Sequence, residues 1–242
     1  MYTNTQKRSS PQTQALRKQA GQLLKNMREE AGHSQRSFAA AIGAPIHTFV
    51  SQIERGLARI PPDQFRIWAR ACGLDARPFL VAILPFYEPD TAALLFGDAP
   101  PVEGRAALPD LDRALAEANA IVASFACRPN ERSQDTGLAT KPGETPQAAD
   151  TRCRREDLGR ILKHLRERAG HPQRAFASLV GASSYTFVSL VETGRNRLPP
   201  EQTCTWAAAY GMDARTFLLV ILRFYDPETF AILFGNTLDI DR

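Results

Sequence analysis

The 242-residue chain is 43% apolar with a formal net charge of +4, a composition typical of ordinary folded proteins and unlike that of disordered or membrane-embedded chains. Its longest apolar runs, FLVAIL (79–84) and FLLVIL (217–222), are far too short to cross a bilayer, so we expect no membrane partner. The four cysteines form no CxxC pair and no ligand spacing with histidine. We therefore expect no metal site and no cofactor, with Cys72 and Cys204 as buried, reduced thiols.

The chain begins with a basic tail and then changes to a helical pattern. Residues 1–20 hold four basic and no acidic side chains, and residues 1–12 are expected to be disordered, without the apolar core of a secretory signal. A cytoplasmic protein is therefore expected, and the basic tail is compatible with an anionic partner. Residues 15–32 then space apolar side chains at helical intervals, and Gly32 predicts the end of that helix. Its apolar face comprises Leu16, Ala20, Leu23, Leu24 and Met27.

Five shorter helical segments follow, punctuated by Gly, Pro and capping residues. SQRSFAAAIG begins with Ser34 as its expected N-cap and ends at Gly43. PIHTFVSQIERG, PPDQFRIWARACG and DARPFLVAIL come next, and Pro85 predicts the end of the last of these three. EPDTAALLFG closes the series, with proline and acids at its start and Gly97 after it.

The composition changes after this series of helices. Residues 108–125 have the spacing of one amphipathic helix, which either docks on the first series or mediates self-association. Residues 128–152 are polar and rich in Pro and Gly, which indicates a flexible coil. A random coil of about 25 residues spans roughly 25–30 Å on average. We therefore expect a partly disordered linker over residues 99–152.

Residues 159–236 repeat residues 21–98 without a gap. About 43 of the 78 aligned positions are identical, far more than two unrelated helical regions would share. The helical pattern recurs as well, with Arg223 at the position of Pro85. The expected domains are a tail (1–12), a first domain (13–98), the linker (99–152), a second domain (153–236) and a C-terminal tail (237–242).

In each copy two short helices meet at a tight turn, which is the arrangement of a helix-turn-helix. In the first copy these helices are expected at 34–41 and 46–55, joined through 43–45. Val50 and Ile53 lie three residues apart and are expected to face the core. The opposite side of the second helix then presents residues that can hydrogen-bond base edges or phosphates.

The segments HSQRSFAAAIGAPIHTFVSQIERG and HPQRAFASLVGASSYTFVSLVETG resemble the Cro/repressor-type helix-turn-helix family, also called the xenobiotic-response-element family. The family pattern has a Gln near the start of the first motif helix, an apolar–Gly pair at the turn, and V-S-x-[IV]-E-x-G at the end of the recognition helix. The resemblance implies an all-α fold with two tandem lambda-repressor-like domains, each with extra C-terminal helices, in a bacterial regulator of transcription. The chain departs from the pattern by one extra residue at each turn and by the extensions YEPDTAALLFG and YDPETFAILFG.

The resemblance also implies contacts to phosphates, which position the protein, and contacts to bases, which specify the sequence. The implied phosphate-binding residues are Gln35, Arg36, Arg59, Gln173, Arg174, Arg195 and Arg197. The implied base-reading residues are Ile46, His47, Thr48, Ser51, Gln52 and Arg55 in the first copy, and Ser184, Tyr185, Thr186, Ser189, Leu190 and Thr193 in the second. Other motif residues are expected to be structural: Glu54 and Glu192 as internal salt bridges or caps, and Phe49, Phe187, Trp68, Trp206, His33 and His171 as packed side chains.

Most implied phosphate contacts are identical in the two copies, whereas several implied base readers differ. This contrast predicts that both copies dock on DNA in the same geometry but contact different bases. The expected target is therefore a bipartite, asymmetric site on double-stranded DNA. Other classes stay open: a second copy that only grips DNA or dimerises, an antitoxin-like regulator with a protein partner such as the transcription machinery, and a small-molecule sensor. Pairing of two chains into a homodimer stays open as well. An enzyme is not expected, because the chain has no GxSxG, phosphate-cradling Gly loop or HExxH.

Overall fold

A computed structural model of the protein describes residues 11–97, 109–126 and 145–235. These ranges hold thirteen α-helices, two short 3-10 turns and no β-strand, which confirms the expected all-α class. Among the helices described, none is long and apolar enough to span a membrane. The expected tails lie outside the described residues except for positions 11 and 12, which already belong to the first helix.

The described residues divide into two compact units. The first unit holds residues 11–97 together with 231–235, and the second holds residues 109–126 together with 145–230. This grouping differs from the limits expected from the repeat alone. It assigns the helix of the expected linker to the second unit and the end of the last helix to the first unit.

The first unit is built around a central helix, α5, that packs against α1, α4 and α6. The helix α1 also packs against α3, and α2 packs against α3. Gly32 and Gly43 adopt positive φ angles just after α1 and α2 end, as expected. The bounds are α1 (Pro11–Glu30), α2 (Gln35–Ala41), α3 (Thr48–Glu54), a 3-10 turn (Pro62–Gln64), α4 (Phe65–Ala71), α5 (Ala76–Tyr87) and α6 (Pro89–Phe96).

The second unit repeats the packing of the first five helices of the first unit and adds one helix before them. The added helix is α7 (Pro109–Ala126), and it packs against α12. The helix α12 also packs against α8 and α11, as α5 packs against α1 and α4 in the first unit. The remaining bounds are α8 (Pro146–Arg168), α9 (Gln173–Leu179), α10 (Tyr185–Glu192), a 3-10 turn (Pro200–Gln202), α11 (Thr203–Ala209), α12 (Ala214–Tyr225) and α13 (Pro227–Phe234).

Each unit has an aromatic core centred on a fully buried tryptophan. In the first unit Phe38 lies edge-on to Trp68 with a centroid separation of 5.1 Å, and Phe49 lies edge-on to the same ring at 6.4 Å. In the second unit Phe176 and Phe187 approach Trp206 in the same way, at 5.1 and 6.3 Å. The expected structural roles of these rings are confirmed.

The helix α7 docks on the second copy through an apolar stripe and two polar contacts. Its Ala114, Ala118 and Val122 are spaced by four residues and are buried. The Asn119 side-chain oxygen accepts a hydrogen bond of 2.6 Å from Arg223, which is itself buried. The sequence predicted an amphipathic helix here, and the buried Ala118 and Val122 belong to its predicted apolar face, whereas Leu111, Leu115 and Ile121 of that face are half-buried.

The choice between the two copies follows from residues that differ between them. On α12, Thr216 donates a hydrogen bond of 3.3 Å to Glu117 of α7, and Arg223 donates to Asn119. The first copy has Pro78 and Pro85 at the two α12 positions, and a proline side chain donates no hydrogen bond. The expectation that the helix docks on the first copy is therefore wrong.

Pro85 does not end its helix, contrary to the prediction. The helix α5 continues to Tyr87, and α12 ends at the matching residue, Tyr225. A proline inside a helix removes one intrahelical hydrogen bond, but buried Ile83 and Leu84 hold this segment in the core. Packing therefore outweighs the local preference.

The helix α8 begins at Pro146, so the coil expected up to residue 152 ends earlier. Thr145 caps this helix, because its hydroxyl accepts a hydrogen bond of 3.3 Å from the Ala148 amide. Asp150 pairs with Arg154 one turn further along the helix. A polar composition thus masked a helix stabilised by capping and ion pairs. The rest of the expected coil, residues 128–144, lies outside the described residues.

The cysteines show one agreement and one correction. Cys72 is buried, as expected, but Cys204 is exposed on α11. Its counterpart in the first copy is Arg66, which is also exposed, so this side of the helix faces solvent in both copies. Cys72, Cys153 and Cys204 are all free thiols.

Candidate nucleic-acid interface

In the first copy α2 and α3 stand at the expected positions of the first motif helix and the recognition helix. Val50 and Ile53 of α3 are buried, as predicted. Thr48, Gln52 and Arg55 are spaced by four and three residues, so they share the opposite face of the helix, and all three are exposed. The structure therefore brings these three implied base readers together on one outward surface.

The second copy presents a chemically different surface at the same positions. Thr186 and Thr193 are exposed and Leu190 is half-buried. The Thr193 hydroxyl donates to the Ser189 carbonyl at 2.8 Å, so it is engaged by its own helix. Ser189 is half-buried, like its counterpart Ser51 in the first copy. This face is less polar than that of α3.

The recognition helices start at different positions of the repeat. Ser184 caps α10, because its hydroxyl accepts a hydrogen bond of 3.1 Å from the Thr186 amide, and α10 begins at Tyr185. Ile46 stands at the Ser184 position and has no hydroxyl, and α3 begins only at Thr48. The expectation that the first recognition helix starts at residue 46 is therefore wrong. Ile46 and His47 instead lie in the preceding turn, where Ile46 is 58% exposed.

A buried network ties each recognition helix to the two helices before it. Arg28 of α1 donates to Glu54 at 2.5 Å, and Gln35 of α2 donates its amide to the same carboxylate at 2.7 Å. Arg28 also donates to the backbone oxygen of His33 at 2.5 Å. The hydrogen bond that Arg28 donates to Glu54 raises the pKa of Arg28 above its ordinary value. The expected internal salt bridge of Glu54 is confirmed.

The second copy contains the same network. Arg166 donates to Glu192 at 2.5 Å, and Gln173 donates to that carboxylate at 2.8 Å. The two glutamines were implied to bind phosphate, and in each the internal hydrogen bond engages one amide hydrogen. An amide nitrogen carries two hydrogens, so each glutamine retains one donor for a ligand.

Two glycines in each copy allow the first helix to cross the end of the recognition helix at backbone contact. A Cβ on Gly21 would lie 2.6 Å from the Glu54 carbonyl carbon, and a Cβ on Gly56 would lie 2.7 Å from the Lys18 nitrogen. Gly159 and Gly194 stand in the corresponding tight positions of the second copy. Within each copy, the crossing and the ion-pair network together fix the recognition helix against the first helix, and they do so in the same way in both copies.

The implied phosphate-binding arginines of α2 and α9 are both exposed. Arg36 makes no ion pair within the part of the chain that the structure describes. The Arg174 guanidinium lies over the Tyr185 ring, 5.3 Å from its centroid. This stacking places Arg174 beside the start of α10, whereas the first copy has His47 instead of the tyrosine.

The loop arginines after the recognition helices have unlike surroundings. Arg59 donates to the Tyr87 carbonyl at 3.0 Å and pairs with Glu88 at 2.8 Å. Arg197 lies over the Tyr225 ring at 4.6 Å and is exposed. Arg195 of the same loop is also exposed. The second copy therefore presents more free positive charge in this loop.

The sequence reasoning missed two features of this surface. Arg28 and Arg166 anchor the networks, and the signal available was a charged residue on the apolar side of α1, four residues after Leu24, present in both copies. Leu57, which is 62% exposed, lies three residues after the end of the first recognition helix, at the position of Arg195. It adds an apolar group at the edge of the first reading surface.

Comparison with known proteins agrees with this geometry. The family model described as "Helix-turn-helix domain" matches the chain twice, at residues 19–79 and 157–217, which together make up just over half of its length. The chain belongs to this helix-turn-helix family. No curated protein and no solved structure matches the chain.

Both matched ranges of this helix-turn-helix protein contain the two motif helices and the helix after them, together with the C-terminal part of the helix before them. They run from α1 through the start of α5 in the first copy and from α8 through the start of α12 in the second. The helices α6, α7 and α13 lie beyond the matched ranges. Among the described residues no group of three or more His, Cys, Asp or Glu side chains is placed to hold a metal ion.

Proposed function

We propose that this helix-turn-helix protein is a sequence-specific regulator of transcription that binds double-stranded DNA and reads a bipartite site with two unlike recognition helices. One observation carries the proposal: the contacts that position the recognition helix are the same in both copies, whereas the exposed side chains of that helix differ. The Arg–Glu–Gln networks and the glycine crossings recur in both copies. The outward side chains of α3 and α10 do not.

The side-chain chemistry of the two faces supports two different sequence preferences. Gln52 can bind an adenine with two hydrogen bonds, and Arg55 can bind a guanine in the same way. At the matching positions Leu190 offers only apolar contact, such as with a thymine methyl group, and Thr193 offers one hydroxyl. We therefore propose an asymmetric site whose two halves differ in sequence.

The phosphate contacts of the proposal come mainly from exposed arginines. Arg36 and Arg174 stand at the start of the first motif helices, and Arg195 and Arg197 follow α10. Contacts of this kind fix the position of the protein on the duplex without reading its sequence. Gln35 and Gln173 would add one amide donor each.

The duplication itself favours reading in cis. A single small DNA-binding module makes a limited interface, and proteins of this type pair to read half-sites about one helical turn, roughly 34 Å, apart. Two copies in one chain raise the effective concentration of the second at its half-site. The protein would then bind a bipartite site without requiring a second chain.

The test is in vitro selection of random duplex DNA with the full-length chain, read out as a sequence motif. Two unlike half-sites about one helical turn apart are the expected result. The chain offers a matched pair of variants, Gln52→Leu and Leu190→Gln. Each variant places in one copy the base-reading residue that the other copy has at the matching position. Each exchange should alter one half-site and leave the other unchanged. Failure to enrich any sequence would reject the proposal.

A second candidate is supported by the apolar character of the second copy. Tyr185 is 49% exposed and Leu179 is 53% exposed, and both lie on the motif helices of that copy. In this alternative the first copy binds DNA while the second serves dimerisation or binds a partner protein, as an antitoxin-like regulator does. A single palindromic motif in the selection, abolished by changes in the first copy alone, would favour it.

A further inference from the structure

Two matched loop arginines differ in their ion pairing: Arg59 pairs with Glu88, whereas Arg197 pairs with no carboxylate among the described residues. We propose that the loop after α10 contacts DNA phosphates, whereas Glu88 holds Arg59 away from them, so that the two copies grip DNA unequally. This inference rests on the proposed DNA-binding function. It adds Glu88 and Asp226 as positioning residues that set which copy supplies the salt-dependent part of the affinity.

Each loop is held by a tyrosine at the same position of the repeat. In the first copy the Ile60 amide donates to the Tyr87 hydroxyl at 3.3 Å, and Arg59 stacks on that ring at 4.7 Å. In the second copy the Leu198 amide donates to the Tyr225 hydroxyl at 3.0 Å. Arg197 stacks there at 4.6 Å. The backbone frame therefore does not distinguish the two arginines.

The carboxylate that follows each tyrosine does distinguish them. Glu88 extends to Arg59 and pairs with it at 2.8 Å. Asp226 stands at the Glu88 position and turns the other way, accepting hydrogen bonds from the Thr229 amide at 3.1 Å and the Thr229 hydroxyl at 2.8 Å. Within the described residues Arg197 has no hydrogen-bonded or ion-paired partner.

One methylene group explains this difference. Aspartate is short enough to cap the first turn of the helix that follows it, and it is a preferred N-cap residue. Glutamate is a poorer cap, and Glu88 makes no side-chain cap to α6 although it stands at the same position. Its longer side chain reaches Arg59 instead. The Glu-to-Asp difference thus decides whether the loop arginine is neutralised.

The consequence for DNA binding follows from counterion release. An arginine that neutralises a phosphate releases a counterion and adds about 0.9 to the slope of log affinity against log salt. An arginine already paired with a carboxylate must give up that pair, and the carboxylate then repels the phosphate. The first loop therefore adds little to the slope.

The residues next to these arginines increase the contrast. The second loop carries Arg195, which is exposed, whereas the first loop carries Leu57 at that position. Counted over the same positions, Leu57, Arg59 and Glu88 sum to no net charge, while Arg195, Arg197 and Asp226 sum to one positive charge. We therefore expect the second copy to supply most of the salt-dependent part of the affinity. The polar base readers Gln52 and Arg55 lie in the first copy.

The experiment measures binding of the full chain to a mixed-sequence duplex of roughly 30 base pairs, about three helical turns, over a series of salt concentrations. Glu88→Gln and Asp226→Asn each remove one negative charge, so they change the net charge equally. Glu88→Gln should steepen the salt slope by about one and tighten binding at low salt. Asp226→Asn should leave the slope unchanged, because Arg197 is already free and Asn retains the cap.

The double variant Arg59→Ala/Glu88→Gln shows whether Glu88 acts through Arg59. Its slope should equal that of Arg59→Ala alone, and Arg197→Ala should flatten the slope by about one. Thermal unfolding of every variant checks that the fold is intact. Equal slopes for Glu88→Gln and Asp226→Asn, or for Arg59→Ala and Arg197→Ala, would overturn the inference while leaving the proposed function standing. Absence of any DNA binding by the unmodified chain would overturn both.

Discussion

Gly21 of α1 lies so close to Glu54 of α3 that a Cβ at position 21 would approach the Glu54 carbonyl carbon to 2.6 Å. Gly159 meets Glu192 in the same way, at 2.7 Å. Both glutamates end a recognition helix and belong to the buried networks with Arg28 and Arg166. A glycine in the first helix of each copy therefore allows the close approach that sets the orientation of the recognition helix.

Replacing Gly21 with Ala should destabilise the first copy. The added methyl group would clash with rigid backbone, and overpacking of this kind costs about 1–3 kcal/mol. Chemical denaturation measures the loss. Gln22→Ala, one residue away on the exposed side of the same helix, is the matched control and should change stability by less than about 0.5 kcal/mol. Equal stability of the two variants would show that the helices separate freely at this crossing.

Breaking the Arg28–Glu54 pair should be more damaging than removing a surface pair. Arg28 is 5% exposed, and deleting one partner of a buried pair leaves an uncompensated charge, which costs about 3–5 kcal/mol. We therefore expect Arg28→Met to lower the free energy of unfolding by that amount. Arg113→Met, which disrupts the exposed pair with Glu117, should cost less than about 1 kcal/mol. Comparable losses for the two variants would contradict the anchoring role of Arg28.

The stability of the first copy should fall at alkaline pH through Cys72. Burial raises the pKa of this thiol from its usual 9.0 to about 11. The folded state therefore holds the proton more tightly than the unfolded state. The resulting stabilisation, up to about 2–3 kcal/mol, is full below pH 9 and is lost as the pH rises through 11.

Cys72→Ala isolates this contribution in unfolding experiments run under reducing conditions between pH 7 and 11. The unmodified protein should lose more stability over this range than the variant. Burial also raises the pKa of Tyr87, which adds a loss common to both proteins. Parallel pH profiles for the two proteins would reject the contribution of Cys72.

Asn119→Ala should loosen α7 from α12. It removes one acceptor of the buried Arg223 guanidinium, and losing a hydrogen bond to a charged group costs about 1.5–3 kcal/mol. Hydrogen exchange should accelerate selectively over residues 109–126. Ala116→Ser, on the exposed side of the same helix, is the control and should leave exchange unchanged. Unaltered protection in Asn119→Ala would mean that the apolar stripe and the Thr216–Glu117 hydrogen bond hold the helix without this contact.

The proposed division between base and phosphate contacts predicts two kinds of DNA-binding variant. Arg55→Ala should cost about 1–3 kcal/mol on the preferred site and relax preference in one half-site. Arg36→Ala should weaken binding to all duplexes about equally and reduce the salt slope by about one. Salt titrations on the selected site and on a scrambled duplex distinguish the two. An unchanged site and affinity for Arg55→Ala would show that α3 is placed incorrectly in the proposed complex.

Much of the local structure was predictable because it depends on neighbours along the chain. Helical spacing, glycines and capping residues located the helices of both copies, and Ser34 caps α2 as expected through the Ser37 amide. The pattern around Val50 and Ile53 identified the buried side of α3, and the side that carries the implied readers followed from it. Pro85 and the start of α8 were misjudged, because packing and ion pairs outweighed local composition there.

By itself the sequence determined the tandem repeat, the all-α fold and the residue types on each recognition face. Helical periodicity and identity between the two copies can both be read directly along the chain. Only the tertiary structure decided that α7 docks on the second copy, since that choice depends on hydrogen bonds between residues about a hundred positions apart. It likewise decided that Arg59 is paired and Arg197 is free. That outcome depends on whether a carboxylate caps a helix or reaches an arginine nearly thirty residues away in the chain, and such distances are set only by folding.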